Sequence, residues 1–231
     1  MLLRKYNKPE LMDDFSIQDE RIDLALKELR FINYFLGGNS SSKLGLSKTI
    51  SDLGNKRILL LDIGAGSSEI LDDFKKLNKA VKVISLDKSK RVCNFIKKNS
   101  NFKPIIVCAD AFNLPFKHKS VDVVHASLFL HHFDDDGIKN ILKNISDIAK
   151  HGIVINDLRR SLAAFLGIKI LTLLFSQSEL VKNDAPISVR KGFLKKEIIR
   201  LLNEIQFKSY EIKRKWAFRW LITAKLESLT M

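Results

Sequence analysis

The chain of 231 residues has room for one α/β domain with additional elements, and a hydrophobic content of 45% indicates a packed core rather than disorder. An excess of 40 Lys and Arg over 26 Asp and Glu gives a net charge of +14, typical either of an anionic partner such as nucleic acid or of lysine-rich solvated helix faces. No window approaches the ~18 apolar residues of a membrane-spanning helix, and the N-terminal stretch lacks the apolar core of a signal peptide. Two cysteines, Cys93 and Cys108, show no pairing pattern, so we expect a reduced, cytoplasmic protein.

The predicted elements begin with a helix and continue as an alternation of strands and helices. Apolar residues recur at helical spacing over 18–36, Gly37 and Gly38 end that helix, and GNSSSKLG (38–45) is predicted to be a loop. The alternation that follows is typical of a doubly wound parallel sheet. Its predicted strands are 57–62, 81–87, 104–110, 120–129 and 152–157, and its predicted helices are 68–78, 89–98 and 137–150. An amphipathic helix over 190–205 and a β-hairpin over 208–225 complete the chain, after an N-terminal helical extension over 1–56.

A turn containing two glycines follows the most apolar strand, in ILLLDIGAGSSEI (58–70). Gly64 and Gly66 allow the backbone to approach a ligand, and the next helix would offer free N–H groups. Asp87 ends the second strand 21 residues after Gly66, where an acid can bind a ribose diol. The third glycine of a dinucleotide fingerprint is replaced by Glu69, and a pyrophosphate beside Glu69 and Asp62 would be repelled. S-adenosylmethionine, which carries a sulfonium and an amino group but no phosphate, fits this pattern.

Four signals in this order resemble the class I S-adenosylmethionine-dependent methyltransferases. LDIGAGSSEI resembles their first motif, and Asp87 their ribose-binding acid. CADAFNLPF (108–116) resembles the segment whose acid, here Asp110, holds the adenine. VDVVHASLFLHHF (121–133) is similar to the fourth strand and turn of small-molecule members such as the quinone-biosynthesis methyltransferases. Many members have a third glycine where this chain has Ser68.

The resemblance covers residues 57–156 and implies the fold and the cofactor. The implied fold is a Rossmann-like, doubly wound sheet of seven strands, parallel except for one antiparallel strand near the C-terminus, in a domain spanning 57–231. The implied cofactor is S-adenosylmethionine, with S-adenosylhomocysteine as product. The implied cofactor-binding residues are Asn33, Asp62, Gly64, Ala65, Gly66, Asp87, Lys88, Asp110, Ala111 and Ser127.

Flanking segments resemble a bacterial subgroup of methyltransferases linked to secondary or lipid-like metabolites. These segments are ELMDD, FINYFLGG, VINDLRRS, ISVRKGF and FRWLITAK. The resemblance implies that the N-terminal helix lies over the cofactor, with Arg30 or Asn33 near the cofactor's carboxylate.

The candidate catalytic residues are His131, His132 and Asp157. Methyl transfer is an in-line displacement that depends on holding donor and acceptor within about 3–3.5 Å of each other, and an oxygen nucleophile also gains from a base. A histidine, with a pKa near ~6.5, suits that role, although either histidine could instead pack under the sheet or cap a helix. Asp157 is a second candidate base or a helix cap. The acidic run 134–136 is interpreted as the N-cap of the helix that starts near Gly137, so no metal is assigned.

Two absences weigh against a nucleic-acid base as the acceptor. The turn after the fourth strand lacks the Asn/Asp-Pro-Pro-aromatic sequence of amino methyltransferases that act on bases. Neither Cys93 nor Cys108 is placed as the nucleophile that cytosine C5 methylation needs.

An apolar segment, 162–175, is interrupted only by Lys169 and is predicted to be either a buried helix or part of a helical lid inserted over 162–190. Such a lid would suit an apolar acceptor, and the basic region that follows would favour an anionic one. Arg190 is the candidate for binding that anion, with solvation at the surface as the alternative. Arg159, expected at the mouth of the pocket, and His132 are further candidates for substrate contact.

We therefore expect methyl transfer from S-adenosylmethionine to a small apolar or aromatic metabolite, at oxygen. An RNA or protein methyltransferase that uses the basic surface is one alternative, and a cofactor-binding protein without catalytic activity is another. Peripheral contact with a membrane is compatible with the basic sequence, and the sequence predicts no oligomeric state.

Overall fold

The computed structural model describes residues 6, 8–14, 16–17, 19–51, 53–54, 57–68 and 80–226. Apart from Ser68, the predicted helix over 68–78 lies outside the described residues, as does Glu69.

Seven strands form one sheet in the order β3-β2-β1-β4-β5-β7-β6. They are β1 (Ile58–Ile63), β2 (Val81–Asp87), β3 (Ile105–Cys108), β4 (Val121–Ser127), β5 (Ala149–Leu158), β6 (Ser209–Lys215) and β7 (Arg219–Lys225). Strands β1 to β5 pair in parallel, whereas β7 is antiparallel to both β5 and β6. The prediction of a seven-stranded sheet with one antiparallel strand is confirmed.

Seven helices are described around this sheet. They are α1 (Glu20–Phe35), α2 (Gly38–Ser51), α3 (Lys90–Asn99), α4 (Asp135–Ile148), α5 (Leu162–Phe175), α6 (Glu179–Lys191) and α7 (Lys195–Glu204), with 3-10 turns at Leu11–Asp13 and Leu130–His132. The central strands carry continuous aliphatic runs because helices cover both faces of a parallel sheet. Leu61 of β1, for example, pairs with Ile84 and Val124, and all three side chains are buried.

The segment 38–45 is part of helix α2, so the prediction of a loop was wrong. Gly37, with a φ of 70°, reverses the chain after α1, and α2 begins at the next residue. Helix α2 then packs very close to the sheet, because a Cβ at Gly45 would lie 2.7 Å from Val154 and 2.8 Å from Leu221. Small residues are therefore needed for helix-to-sheet contact, although the same residues in sequence are typical of a loop.

Two predicted helices had wrong boundaries. The helix predicted over 137–150 ends at Ile148, and the next two residues already belong to β5. The helix predicted over 190–205 is divided between α6 and α7. At the division, Gly192 approaches the sheet so closely that a Cβ there would lie 2.8 Å from the Leu158 carbonyl oxygen, and Phe193 forms a bridge with Arg159.

Candidate active site

A cavity of about 940 Å³ lies at the carboxyl ends of the central strands. One wall is formed by residues that end or follow β1, β2, β4 and β5, and the other by the N-terminal segment with α1, α5 and α6. The carboxyl ends of the strands are where ligands bind in open α/β sheets. Among the residues predicted from sequence, Asn33, Asp62, Gly64, Ala65, Gly66, Asp87, Lys88, Asp110, Ala111, Ser127, His131, His132 and Arg159 line this cavity.

The loop after β1 needs its glycines for two different reasons. Gly64 has a φ of 63°, and a Cβ there would overlap the ring of Phe129. Gly66 has a φ of 51°, and a Cβ there would meet no atom within 4 Å, so the space beside it is open. Ser68 also has a positive φ of 59°, which is why a glycine suits this position. Its hydroxyl forms a hydrogen bond of 2.8 Å with that of Ser85.

The carboxylate of Asp87 is oriented by the backbone on both sides. Oδ1 accepts a hydrogen bond from the Ser89 N–H at 2.9 Å, and Oδ2 accepts one from the Gly66 N–H at 3.2 Å. Burial raises the pKa of Asp87, and these two hydrogen bonds act in the opposite direction. Because each oxygen accepts only one backbone N–H, each retains capacity for a ligand hydroxyl.

The segment after β3 is held by side chains on two neighbouring elements. Asp110 forms an ion pair of 2.8 Å with Lys88 and accepts the Phe112 N–H at 3.0 Å. The hydrogen bond with Lys88, followed by the one from the Phe112 backbone, lowers the pKa of Asp110. Asn144 of α4 donates to the carbonyl of Phe112 at 2.9 Å, next to the buried Ala111.

A buried polar network holds the side chain of Asp62. Asp62 Oδ1 lies 2.7 Å from His125 Nδ1, and His125 Nε2 lies 2.9 Å from Ser42 Oγ. Asn156 donates to the same Ser42 oxygen at 3.0 Å and to Ser127 Oγ at 3.3 Å. Sequence analysis missed His125, Ser42 and Asn156. The available signal was one polar residue within each of three apolar strands, namely Asp62 in β1, His125 in β4 and Asn156 in β5. Asp62 and His125 are direct partners in the sheet register.

His131 and Asp157 form a buried pair. His131 Nδ1 lies 2.6 Å from Asp157 Oδ1, while Asp157 Oδ2 accepts the N–H of Leu130 at 3.0 Å. Burial would raise the pKa of Asp157, but its interactions with His131 and the backbone lower it. Asp157 lies behind His131 and does not line the cavity, so it contacts the cavity only through the imidazole.

His132 has entirely different neighbours. Its Nδ1 lies 2.9 Å from Asp13 and 3.8 Å from Glu10, two acids of the N-terminal segment. Burial would lower the pKa of His132, but these carboxylates raise it to about 9. The rings of His131 and His132 stack with their centroids 4.4 Å apart. One imidazole is therefore a cation near neutral pH, and it lies against the imidazole that Asp157 orients.

Glu10, His131 and His132 form a candidate metal site, since ligand atoms of these three residues lie within 4.8 Å of one another. The ammonium of Lys191, however, lies 3.1 Å from Glu10 Oε1 and already neutralises that carboxylate. In the run 134–136, Asp134 accepts the N–H of Gly137 at 2.8 Å, which is the N-cap interpretation made from sequence.

Asn33 is held in the cavity wall by a buried arginine that sequence analysis missed. Arg219 donates to Asn33 Oδ1 at 2.8 Å and to the carbonyl of Leu36 at 3.1 Å. Its Nη1 is buried and has no hydrogen-bond partner among the described residues. Burial lowers the pKa of Arg219 to about 10, so the group stays charged. Arg30, the other residue suggested for this role, does not line the cavity.

The two arginines predicted to contact substrate separate in the structure. Arg159 lines the cavity, with its guanidinium 5.0 Å from the ring centroid of Phe218. Arg190 does not line the cavity, because its guanidinium stacks on Tyr6 at 3.4 Å from the ring centroid. Cys93 and Cys108 are free thiols away from the cavity lining.

The fold and this site define a class of protein. Residues 61–155 match the family model described as a methyltransferase domain. That match assigns a methyltransferase domain to residues 61–155, and the sheet order and the glycine loop with Asp62 and Asp87 agree with the class I S-adenosylmethionine-dependent methyltransferase predicted from the sequence. The predicted enzyme class, fold and cofactor are confirmed.

Solved structures with the same fold include several methyltransferases. The plantazolicin methyltransferase BpumL, in complex with a pentazolic desmethylPZN analog and SAH, is 17% identical with a TM-score of 0.71, covering 92% of this chain and 93% of that one. Human N-acetylserotonin methyltransferase in complex with SAM is 20% identical with a TM-score of 0.65, covering 92% and 57%. The magnesium protoporphyrin IX methyltransferase of Synechocystis PCC 6803 with bound SAM is 11% identical with a TM-score of 0.62, covering 96% and 100%. No curated protein matches the sequence significantly.

Proposed function

We propose that this methyltransferase methylates an oxygen atom of a small apolar or aromatic molecule, with His131 as the general base. The observation that carries the proposal is the pair formed by His131 and the buried Asp157 at the cavity. A carboxylate that accepts the Nδ1 proton leaves Nε2 as the proton acceptor. Asp157 is then a positioning residue rather than the base itself.

The residues of the cavity fit S-adenosylmethionine, which supplies an electrophilic methyl group on its sulfonium. Asp87 accepts the ribose hydroxyls, Asp110 and its backbone hold the adenine, and the open space beside Gly66 admits the ligand. The unpartnered, buried Nη1 of Arg219 supports a role in binding the cofactor's carboxylate. Asn33 positions that guanidinium.

The lining of the cavity supports an apolar acceptor. Side chains of α1 and α5 contribute apolar surface, including Leu29, Ile32 and Ile168, and Arg159 provides a cation at the same wall. The walls come from the sheet and from helices opposite it, a shape that suits a small molecule better than a polymer. The similarity to methyltransferases named for plantazolicin and N-acetylserotonin supports the same size class.

A labelled-methyl assay with paired binding measurements tests this proposal. Purified protein is given labelled S-adenosylmethionine with a panel of apolar phenols, and separately with RNA and with protein. We expect label in an extractable small molecule, and we expect His131→Ala to lower kcat by about 10²–10⁴-fold without changing cofactor affinity. Asp87→Ala and Arg219→Met should instead weaken cofactor binding, by about tenfold or more.

The matched control is His118→Ala, because His118 is exposed and pairs with Asp147 away from the cavity. That variant should retain both kcat and affinity. Label transferred to RNA or protein would contradict the small-molecule acceptor. Full turnover in His131→Ala would contradict the role of base.

A further inference from the structure

Helix α5 is apolar on all sides, yet half of it is exposed. Its 14 residues contain one charge, Lys169. Ala164 and Ile168 are buried against the molecule, while Leu162, Leu166, Ile170, Leu173, Leu174 and Phe175 are exposed. A helix that is hydrophobic all round is normally buried, so the outer side of α5 needs something to cover it.

Two neighbouring elements extend this exposed side. Phe31, Tyr34 and Phe35 of α1 are exposed, and the ring centroid of Phe35 lies 4.3 Å from that of Phe31 and 5.4 Å from that of Tyr34. Trp216, in the turn between β6 and β7, is 75% exposed and lies beside Gly37 at the end of α1. We call these four residues and the six exposed residues of α5 the outer apolar surface.

The three elements are joined to one another beneath this surface. One hydrophobic cluster contains Ile32 of α1 with the following Leu36, Ala164 and Ile168 of α5, and Phe218 of the β6–β7 turn. Glu28 of α1 also accepts hydrogen bonds from the residues that follow α5, including the Gln177 N–H at 2.7 Å. The exposed side chains therefore lie on connected elements, which hold them as one surface.

The exposed charge beside this surface is mainly positive. The segments 29–44, 159–175 and 213–219 contain nine Lys and Arg and no Asp or Glu, although Arg160 and Arg219 are buried and do not contribute to the surface charge. Lys169, Lys213 and Arg214 are exposed. Of the nearby acids, Glu28 is bonded to the loop after α5, and Glu211 pairs with Lys213 at 2.9 Å. Apolar side chains with basic residues beside them are typical of a face that lies in the interface of an anionic membrane.

We propose that the outer apolar surface docks on the surface of an anionic lipid bilayer. A second copy of this basic chain would bring like charges together, whereas anionic lipid headgroups neutralise them. The contact is interfacial, because none of the described helices is long and apolar enough to cross a bilayer. Docking would place at the membrane the same helix whose inner residues Ala164, Gly167 and Ile168 line the cavity.

This inference goes beyond the proposed methyl transfer and can be tested without any acceptor. Full-length protein is mixed with vesicles of phosphatidylcholine, with and without phosphatidylglycerol, and bound protein is measured by co-sedimentation. We expect binding to the anionic vesicles that weakens with added salt, and weaker binding to phosphatidylcholine alone.

The double variant Leu173→Glu/Phe175→Glu removes two exposed apolar groups and adds two negative charges. Both positions are exposed, so the fold should be retained, as circular dichroism and unchanged cofactor binding can verify. We expect its affinity for anionic vesicles to fall by at least about tenfold. The matched control is Ile105→Glu, an exposed residue of β3 at the opposite edge of the sheet, which should bind as wild type.

Tryptophan emission reports the contact directly. The chain has two tryptophans, of which Trp220 is 2% exposed and Trp216 is 75% exposed. Anionic vesicles should shift the emission to shorter wavelength, and Trp216→Phe should abolish the shift while retaining co-sedimentation. Wild type that stays in solution, or a double variant that binds like wild type, would overturn the proposal. So would a wild-type dimer that the double variant dissociates, because a second copy would then cover this surface.

Discussion

At the residue scale, neighbours determine the charge of two adjacent histidines. His131 pairs with the buried carboxylate of Asp157, which also accepts the N–H of Leu130. His132 instead lies beside the carboxylates of Asp13 and Glu10. The imidazole of His132 is therefore held as a cation, and that of His131 is held in one orientation. Side chains of the same type, next to each other in sequence, are suited to different tasks.

The raised pKa of His132 predicts a pH-dependent stability. The folded protein binds this proton more tightly than the unfolded chain, whose histidine has the ordinary pKa of 6.5. The stabilisation is therefore complete below about pH 6.5 and is lost as pH rises through about 9. We expect the free energy of unfolding, measured with urea at pH 7 and pH 9.5, to fall more in wild type than in His132→Gln. An equal fall in both proteins would contradict the ion pairs with Asp13 and Glu10.

At the element scale, the N-terminal segment is attached to α6 by a small number of polar contacts. Asp184 accepts the N–H groups of Leu11 and Met12 at 2.8 and 2.9 Å, and Ser188 donates to Glu10 at 2.8 Å. These contacts bring the acids of the segment to His132. The wall of the cavity thus depends on a few partly buried hydrogen bonds together with the apolar packing of Met12 and Ile17.

We predict that Asp184→Ala detaches this segment without unfolding the sheet. Amide hydrogen exchange in the 3-10 turn Leu11–Asp13 should become faster, because its first two N–H groups lose their acceptor. A loss of about 1–3 kcal/mol in stability is expected from the broken buried hydrogen bonds. Glu179→Ala is the control, since Glu179 is an exposed acid of the same helix that pairs with Lys182. Unchanged exchange in Asp184→Ala would mean that other contacts hold the segment.

At the scale of the whole molecule, the cavity joins the sheet to the helices opposite it. Asp87 and Gly66 come from the sheet side, and Asn33 and Ile168 come from helices on the other side. A ligand that touches both walls stabilises the assembled form and not the unfolded chain, so its binding must raise the unfolding temperature.

We expect S-adenosylhomocysteine at a hundredfold excess over its Kd to stabilise the protein by about 2.7 kcal/mol. Thermal unfolding with increasing ligand measures this, and Asp87→Ala should need a higher concentration for the same shift in Tm. NAD is the control and should produce no shift, because its pyrophosphate would lie near the carboxylate of Asp62. A shift with NAD and none with S-adenosylhomocysteine would contradict the cofactor assignment.

Sequence alone determined the parts of this protein that depend on neighbours along the chain. The aliphatic run of β1 predicts a buried parallel strand, Gly64 and Gly66 predict a turn at which the backbone can approach a ligand, and Asp87 and Asp110 lie at or just after the ends of adjacent strands. Periodicity and turn chemistry are local properties, so they can be read without knowing the fold. The position of the glycine loop after β1 followed from them, whereas the seven strands and the antiparallel strand near the C-terminus were implied by the family resemblance.

The tertiary structure decided what depends on residues far apart in sequence. Asn33 and Arg219 are 186 residues apart, and Ser42 and His125 are 83 apart, yet each pair is in contact. Helix α2 looked like a loop because its small residues serve the packing against β5 and β7, which only the folded chain reveals. Burial and distant charges determine which polar groups are paired and which histidine carries a proton, and neither is encoded in local spacing.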